Sequence, residues 1–387
     1  MKNFTLCTPT KIIFGREVEN KLGKEAANYG KKVLVIHGSD RVKTTGLLDK
    51  LYNSLKEEGI TPFTLGGVLP NPRLNLVYEG IKICKEQNID LVLAVGGGSV
   101  TDTAKAVALG AKYEGDVWDI FTRKVRPVTA LPVGAIITIA GSGSEYSNDV
   151  VITNEKTGDK LPLGSELVRP AFALLNPELT MTLPAYQTAS GCADIMMHAI
   201  ERYFTSLKNV ELTDRLIEGL LLTMIANSPR VLKDLSDYDS RAEIMWASSL
   251  AHNGLLGTGR IGDFSSHLLG HELSAKFDTA HGASLTIVCP AWMKYVYKND
   301  IPLFAKFAVR VMGIEYNYDN PEETALLGIE KLKSFFSELG LPTSLTEIDV
   351  KEEDIEGMVE KCMRHGGIGN FVKLREDDIR AIYKLAL

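Results

Sequence analysis

Asp194 and His198 stand four residues apart, His267 and His271 stand four apart, and His281 follows ten later. A four-residue step puts two side chains on one helix face, one turn apart. The chain has 7 histidines, and four of them fall in this constellation. One carboxylate with several imidazoles is a donor set for a divalent transition metal, Fe(II) or Zn(II). A single buried histidine is more often a hydrogen-bonded core residue, but here three independent spacings would have to coincide. One aspartate and three histidines would supply four ligands and leave room for a substrate oxygen, so five candidates are more than a tetrahedral site needs. A metal with an open position polarises a carbonyl or stabilises an alkoxide. A spare imidazole could then relay a proton. Cys192 is two residues from Asp194, points off that helix face and reads as a small core residue.

A second chemistry-bearing stretch is Gly96-Gly97-Gly98-Ser99-Val100-Thr101-Asp102. It follows an apolar strand pattern and opens a helical one. Glycines admit close backbone approach, and a helix N-terminus offers N–H groups and a positive dipole end to phosphate. A plain strand-to-helix turn needs only one glycine, so three in a row favour an anion cradle. A further turn, Gly38-Ser39-Asp40-Arg41-Val42-Lys43, lies after the first strand pattern. In open α/β sheets ligands sit at the carboxyl ends of strands. Asp40 would accept from a ribose 2′-hydroxyl and favour NAD, whereas Arg41 and Lys43 would pair with a 2′-phosphate and favour NADP. Ala140-Gly141-Ser142-Gly143-Ser144-Glu145 is a third small-residue turn that could line the same dinucleotide. A nicotinamide beside a Lewis-acid metal points to alcohol–aldehyde oxidoreduction.

These residues need elements to position them. The chain has 387 residues, 45% hydrophobic and 24% charged, which suits two domains. Strand patterns at 32–37, 61–65, 89–95, 128–131 and 136–139 alternate with helical patterns at 46–58, 74–87 and 101–111, implying βαβ units and a mostly parallel sheet. After residue 180 helical spacing dominates, with runs at 185–206, 211–227, 240–255, 263–274, 301–313, 322–338, 351–362 and 376–386. Asp194 and His198 then share one helix, His267 and His271 another, and His281 falls at a loop or helix start. The expected fold is an α/β dinucleotide-binding domain over 1–180 and an all-α metal-binding domain over 181–387, with the site in the cleft between them. The net charge of −6 argues against a nucleic-acid or anionic-membrane partner. Five scattered cysteines without a CxxC pair fit a reducing cytoplasm. No signal peptide is read, and no apolar run reaches the ~18 residues that span a bilayer.

The GGGSxxD loop at 96–102, DxxxH at 194–198 and HxxxH-x9-H at 267–281 together resemble the iron-containing (group III) alcohol dehydrogenases, in particular their NAD(P)H-dependent butanol dehydrogenase and aldehyde reductase branch. Supporting stretches are Asn71-Pro72, 113–119, 151–156 and 290–296, so the resemblance spans nearly the full length. It implies Asp194, His198, His267 and His281 as metal ligands and His271 as a substrate-side histidine. It further implies Gly97, Gly98, Ser99 and Asp102 as pyrophosphate and nicotinamide contacts, and Gly38, Thr138, Ser142 and Lys160 as further cofactor contacts. Ser39 and Asp40 are the candidates that set NAD against NADP. The expected activity interconverts small primary alcohols and aldehydes in a homodimer. Competing classes are a glycerol-dehydrogenase-like polyol oxidoreductase, a dehydroquinate-synthase-like lyase, a nucleotide-independent metallohydrolase and a metal-binding protein without catalysis.

Overall fold

Runs of valine, isoleucine, leucine and alanine decide the sheet. Strands β2 (Lys32–His37), β4 (Leu91–Gly96) and β5 (Val133–Ile137) are buried along nearly their whole length, as parallel strands covered on both faces must be. In the computed structural model, which describes every residue except Ser39, Asp40 and His365, they join β1 (Lys11–Phe14), β3 (Thr61–Leu65) and β8 (Phe172–Leu175). All neighbours in this six-stranded sheet are parallel, in the order β1-β8-β5-β4-β2-β3. From β2 the chain adds β3 on one side and β4 on the other, so the strand order reverses between β2 and β4. Such a switch point leaves a crevice at the strands' carboxyl ends. The connections carry α1 (Leu22–Ala26), α2 (Arg41–Thr44), α3 (Leu47–Glu57), α4 (Leu74–Gln87), α5 (Gly98–Ala111) and α6 (Trp118–Phe121). β6 (Asp149–Asn154) and β7 (Asp159–Gly164) form a separate antiparallel pair.

The rest of the chain is helical: α7 (Ala185–Tyr203), α8 (Glu211–Lys233), α9 (Tyr238–His252), α10 (Ser265–Phe277), α11 (His281–Val296), α12 (Ile301–Arg310), α13 (Pro321–Glu338), α14 (Ile355–Met363) and α15 (Glu376–Leu385). From Thr188 to Tyr203 every residue of α7 is buried, which marks it as the central helix of its unit.

Two compact units result. One comprises Cys7–Leu183 with Ser248–Asn253; the other comprises Met1–Leu6, Pro184–Ala247 and Gly254–Leu387. The last turn of α9 therefore counts with the α/β unit, a crossing that composition does not betray.

Three details differ from the sequence expectation. Residues 128–131 form no strand, since Pro127 and Pro132 bracket them and Val128 is exposed, and the strand expected at 136–139 runs instead over Val133–Ile137. Also absent from the sequence expectation are the short strands β1, β6, β7 and β8, although burial alternates along β6. Helix α11 also escaped the periodicity reading, because Pro290 lies inside it.

Candidate metal centre and nucleotide cradle

The metal candidates come together within the helical unit. Asp194 and His198 share one face of α7, His267 lies in the first turn of α10, and His281 is the first residue of α11. The Nε2 atoms of His198, His267 and His281 lie 3.8, 3.7 and 3.7 Å from one oxygen, Oδ1 of Asp194. Hydrogen bonds would draw these pairs to about 2.7–3.2 Å. Donor atoms that share one tetrahedral ion at about 2.1 Å stand roughly 3.4 Å apart, so the observed spread suits a cation between them. Asp194, His267 and His281 offer donor atoms all within 4.8 Å of one another. The His198 and His267 rings stack at 4.6 Å. Nε2 of His267 is buried and has no hydrogen-bond partner, the state expected of a donor reserved for a metal. The donor set therefore fits a divalent transition metal.

His271 stands beside this group. Its ring centroid is 5.2 Å from that of His281 and 6.5 Å from that of His267.

Close packing delivers His281. A Cβ on Gly282 would stand 1.9 Å from the Ser190 carbonyl oxygen, so only glycine lets the start of α11 press against α7 one turn before Asp194. The start of α10 is held as firmly. Asp263 takes the Asn370 and Phe371 N–H groups at 2.7 Å each and the Ser265 N–H at 3.0 Å, while its own N–H goes to the Glu201 carbonyl at 2.8 Å. Phe264 follows with φ +62°, a left-handed conformation that costs a bulky residue about 1–3 kcal/mol and persists only where the surroundings impose it.

The glycine turn belongs to the α/β unit. Residues pair across β2 and β4 up to His37 opposite Val95, which sets Gly38 and the Gly96–Gly98 turn side by side at the switch point. No side chain caps α5, which leaves its first turn open to an anion. A Cβ on Gly98 would stand 2.3 Å from Ser142 Oγ. The Thr138 N–H bonds the Gly96 carbonyl at 2.9 Å, and Ser142 Oγ accepts from the Ser144 N–H at 3.3 Å. Asp102 is half-buried, with Oδ1 accepting from Ser144 Oγ at 2.7 Å and Oδ2 from the Val151 N–H at 2.9 Å. Burial pushes its carboxyl above the usual carboxylate range. Ser99 lies in the first turn of α5. Lys160, on β7, donates to Asn71 Oδ1 at 2.9 Å. Ser39 and Asp40 lie outside the described residues.

Comparison with known proteins decides the family. Residues 9–177 match the family model for iron-containing alcohol dehydrogenase, and residues 188–387 match its C-terminal domain. The chain belongs to the iron-containing alcohol dehydrogenase family. It is 43% identical to the probable NADH-dependent butanol dehydrogenase 2 of Bacillus subtilis and 36% identical to an NADPH-dependent aldehyde reductase of Escherichia coli, covering the whole of both chains in each case. The solved structure of NADH-dependent butanol dehydrogenase A from Thermotoga maritima superposes with a TM-score of 0.96 at 39% identity, over 100% of this chain and 99% of that one.

Two buried residues of this iron-containing alcohol dehydrogenase family member went unnoticed in the sequence. Glu201, fully buried, accepts the His267 backbone N–H at 3.1 Å through Oε1 and bonds His267 Nδ1 through Oε2. It therefore fixes the imidazole with Nε2 facing the cluster. Burial alone would lower the His267 pKa, but Glu201 and Asp194 outweigh it and push it up to about 9. The field that holds a proton there also favours a divalent cation. Glu201 was legible in principle, seven residues after Asp194 on the same helix face. The other is Lys105, also fully buried, whose Nζ donates to the carbonyls of Ser147 at 3.0 Å and Asp149 at 2.7 Å. Burial lowers its pKa to about 8. It moors the loop leading into β6 to α5. No spacing rule marks it.

Proposed function

We propose that this protein is a metal-dependent, NAD(P)H-linked alcohol dehydrogenase or aldehyde reductase of small primary alcohols and aldehydes. The observation that carries the reading is the convergence of three imidazole Nε2 atoms on one carboxylate oxygen, Asp194 Oδ1. It occurs in a chain whose α/β unit sets a glycine turn at the switch point of a parallel sheet. The similarity to butanol dehydrogenases and an aldehyde reductase supports the substrate class.

Asp194, His198, His267 and His281 would hold the metal, Fe(II) first and Zn(II) second. Gly38, Ser39, Asp40, Gly97, Gly98, Ser99, Asp102, Thr138, Ser142 and Lys160 would hold the dinucleotide. When bound, the cation supplies Lewis acidity toward a carbonyl oxygen and the nicotinamide supplies hydride. Asp194 contributes the negative charge that offsets the cation. Glu201 keeps the proton of His267 on Nδ1, so that Nε2 remains a lone-pair donor. The backbone of Gly97 and Gly98 admits the pyrophosphate, and the uncapped start of α5 faces its charge. His271 is the proposed carrier of the proton that joins the hydride as aldehyde becomes alcohol. No helix among the described residues is long and apolar enough to cross a membrane, and the reading places the enzyme in the cytoplasm as a homodimer.

The test is one matrix of butanal with NADH or NADPH and metal-stripped protein reloaded with Fe(II) or Zn(II). Turnover should disappear with the metal and return on reloading. His267→Ala should lose both metal, measured by mass spectrometry, and turnover. Full turnover in metal-free protein would overturn the assignment.

A further inference from the structure

The loop from β5 to β6 is held from two sides. One side is α5, through Asp102 and Lys105. The other is the last turn of α9, which joins the α/β unit as Ser248–Asn253. Three side chains of that turn reach residues 103 to 107 positions earlier in the chain. Ser248 Oγ accepts the Gly141 N–H at 3.0 Å, and Ser249 Oγ donates to Glu145 Oε1 at 2.5 Å. Nε2 of His252 lies 2.8 Å from Asp149 Oδ2. A carboxylate only accepts, so the imidazole N–H donates. Glu145 is 3% exposed, and a carboxyl so buried needs a partner; Ser249 supplies one.

The backbone brings the two segments closer still. Gly143 has φ +62°, and a Cβ on it would stand 2.5 Å from the Ser248 carbonyl oxygen and 2.8 Å from His252 Cβ. Both the conformation and the space require glycine there. Arg169 adds a bridge, since its Nη1 donates to the Tyr146 carbonyl at 2.6 Å and to the Asn253 carbonyl at 3.3 Å.

The points that α9 holds alternate with the groups that serve the nucleotide cradle. Gly141 and Gly143 flank Ser142, a proposed dinucleotide contact. Gly143 and Glu145 flank Ser144, whose hydroxyl donates to Asp102 Oδ1 at 2.7 Å. Apart from the short turn Ser144–Tyr146, the stretch from Ala140 to Asn148 has no regular structure of its own. Its shape is set by what it packs against, and a site shaped in advance spares the ligand the cost of ordering it.

We propose that Ser248, Ser249 and His252 are positioning residues for the dinucleotide. The last turn of α9 acts through the loop to hold Ser142 and Asp102 in the geometry that the cofactor needs. The inference rests on the dinucleotide site of the preceding section and adds three residues that act on it at one remove.

The experiment titrates NADH and NADPH into metal-loaded protein by fluorescence quenching and measures KM and kcat with butanal. His252→Ala and Ser248→Ala should each raise the Kd and KM for the dinucleotide about three- to tenfold, the worth of one hydrogen bond. The kcat should fall by a smaller factor, and metal content and the KM for butanal should hold. His252→Gln, whose amide can still donate to Asp149, should recover most of the loss. A lower melting temperature with the dinucleotide Kd unchanged would reduce the turn to packing and overturn the proposal. Wild type that binds neither dinucleotide would overturn the reading of the preceding section and this proposal with it. Wild type that binds, beside variants that bind equally well, would overturn this proposal alone.

Discussion

The metal centre and the nucleotide cradle are built in opposite ways. In the helical unit the proposed donors are side chains that the backbone brings together: Asp194, His198, His267 and His281 converge, and Gly282 lets α11 reach α7. In the α/β unit the proposed cradle is backbone that side chains brace: Gly97 and Gly98 form the turn, and Asp102, Ser144 and Lys105 moor the neighbouring loop. A side-chain site fails through loss of a donor or a misplaced helix. A backbone site fails when a side chain intrudes. The two sites should therefore separate cleanly under mutation.

The largest effect is expected at Gly282. A Cβ there meets a backbone carbonyl at 1.9 Å, and backbone on a central buried helix cannot step aside. Gly282→Val should lower metal content more than a hundredfold and depress the melting temperature. Its effect on NAD(P)H affinity, followed by quenching of cofactor fluorescence, should be small in whatever protein remains folded. Metal content near the wild-type level would show that α11 does not depend on this approach.

Glu201→Gln comes next. The glutamine oxygen can still accept from His267, but the charge is gone. Loss of such a supporting partner typically weakens metal affinity by about 10- to 100-fold. Competition between Co(II) and a chelator would measure it. Unchanged affinity would mean that Glu201 acts only in folding.

Gly98→Ala probes the other region. Its Cβ would lie 2.3 Å from Ser142 Oγ, a flexible atom that can partly yield. The KM for the dinucleotide should rise about tenfold, by the 1.4 kcal/mol per decade of binding energy, with metal content unchanged. Adding Ser142→Gly should recover part of the loss. A fall in metal content instead would tie the cradle to the centre.

The same contrast explains what the sequence could reveal. Side-chain chemistry leaves a mark in spacing: the i,i+4 pairs 194/198 and 267/271 marked their helices, and the apolar runs at 32–37 and 89–95 marked the central strands. Features held by backbone or long-range packing left little mark. Helix α11 was hidden by Pro290; of the strands expected at 128–131 and 136–139 the first does not form, and the second starts earlier, at Val133, just after Pro132. The Asp263–Phe264 corner depends on N–H groups more than 100 residues away at Asn370 and Phe371. Periodicity cannot report such a contact. Glu201 falls between, since its position on the Asp194 face was visible but its partner on another helix was not.

Lys105 offers the smallest and most selective test. It is fully buried, and burial lowers its pKa to about 8 from the 10.5 of a free lysine. Between those values the unfolded chain binds a proton that the folded chain lacks, so folding stability should rise as pH climbs from about 8 toward 10.5. At 1.36 kcal/mol per pKa unit the full effect is of order 3 kcal/mol. Lys105→Met keeps the volume and removes the titration, together with the hydrogen bonds to Ser147 and Asp149. The difference in melting temperature between wild type and Lys105→Met should therefore grow in favour of the wild type across this range. Metal affinity should hardly respond, because Lys105 braces the cradle and not the centre. A constant difference from pH 7 to pH 10 would show that the amine stays charged in the folded protein. Asp102, Glu145 and Asp149, which pull its pKa upward, would then outweigh its burial.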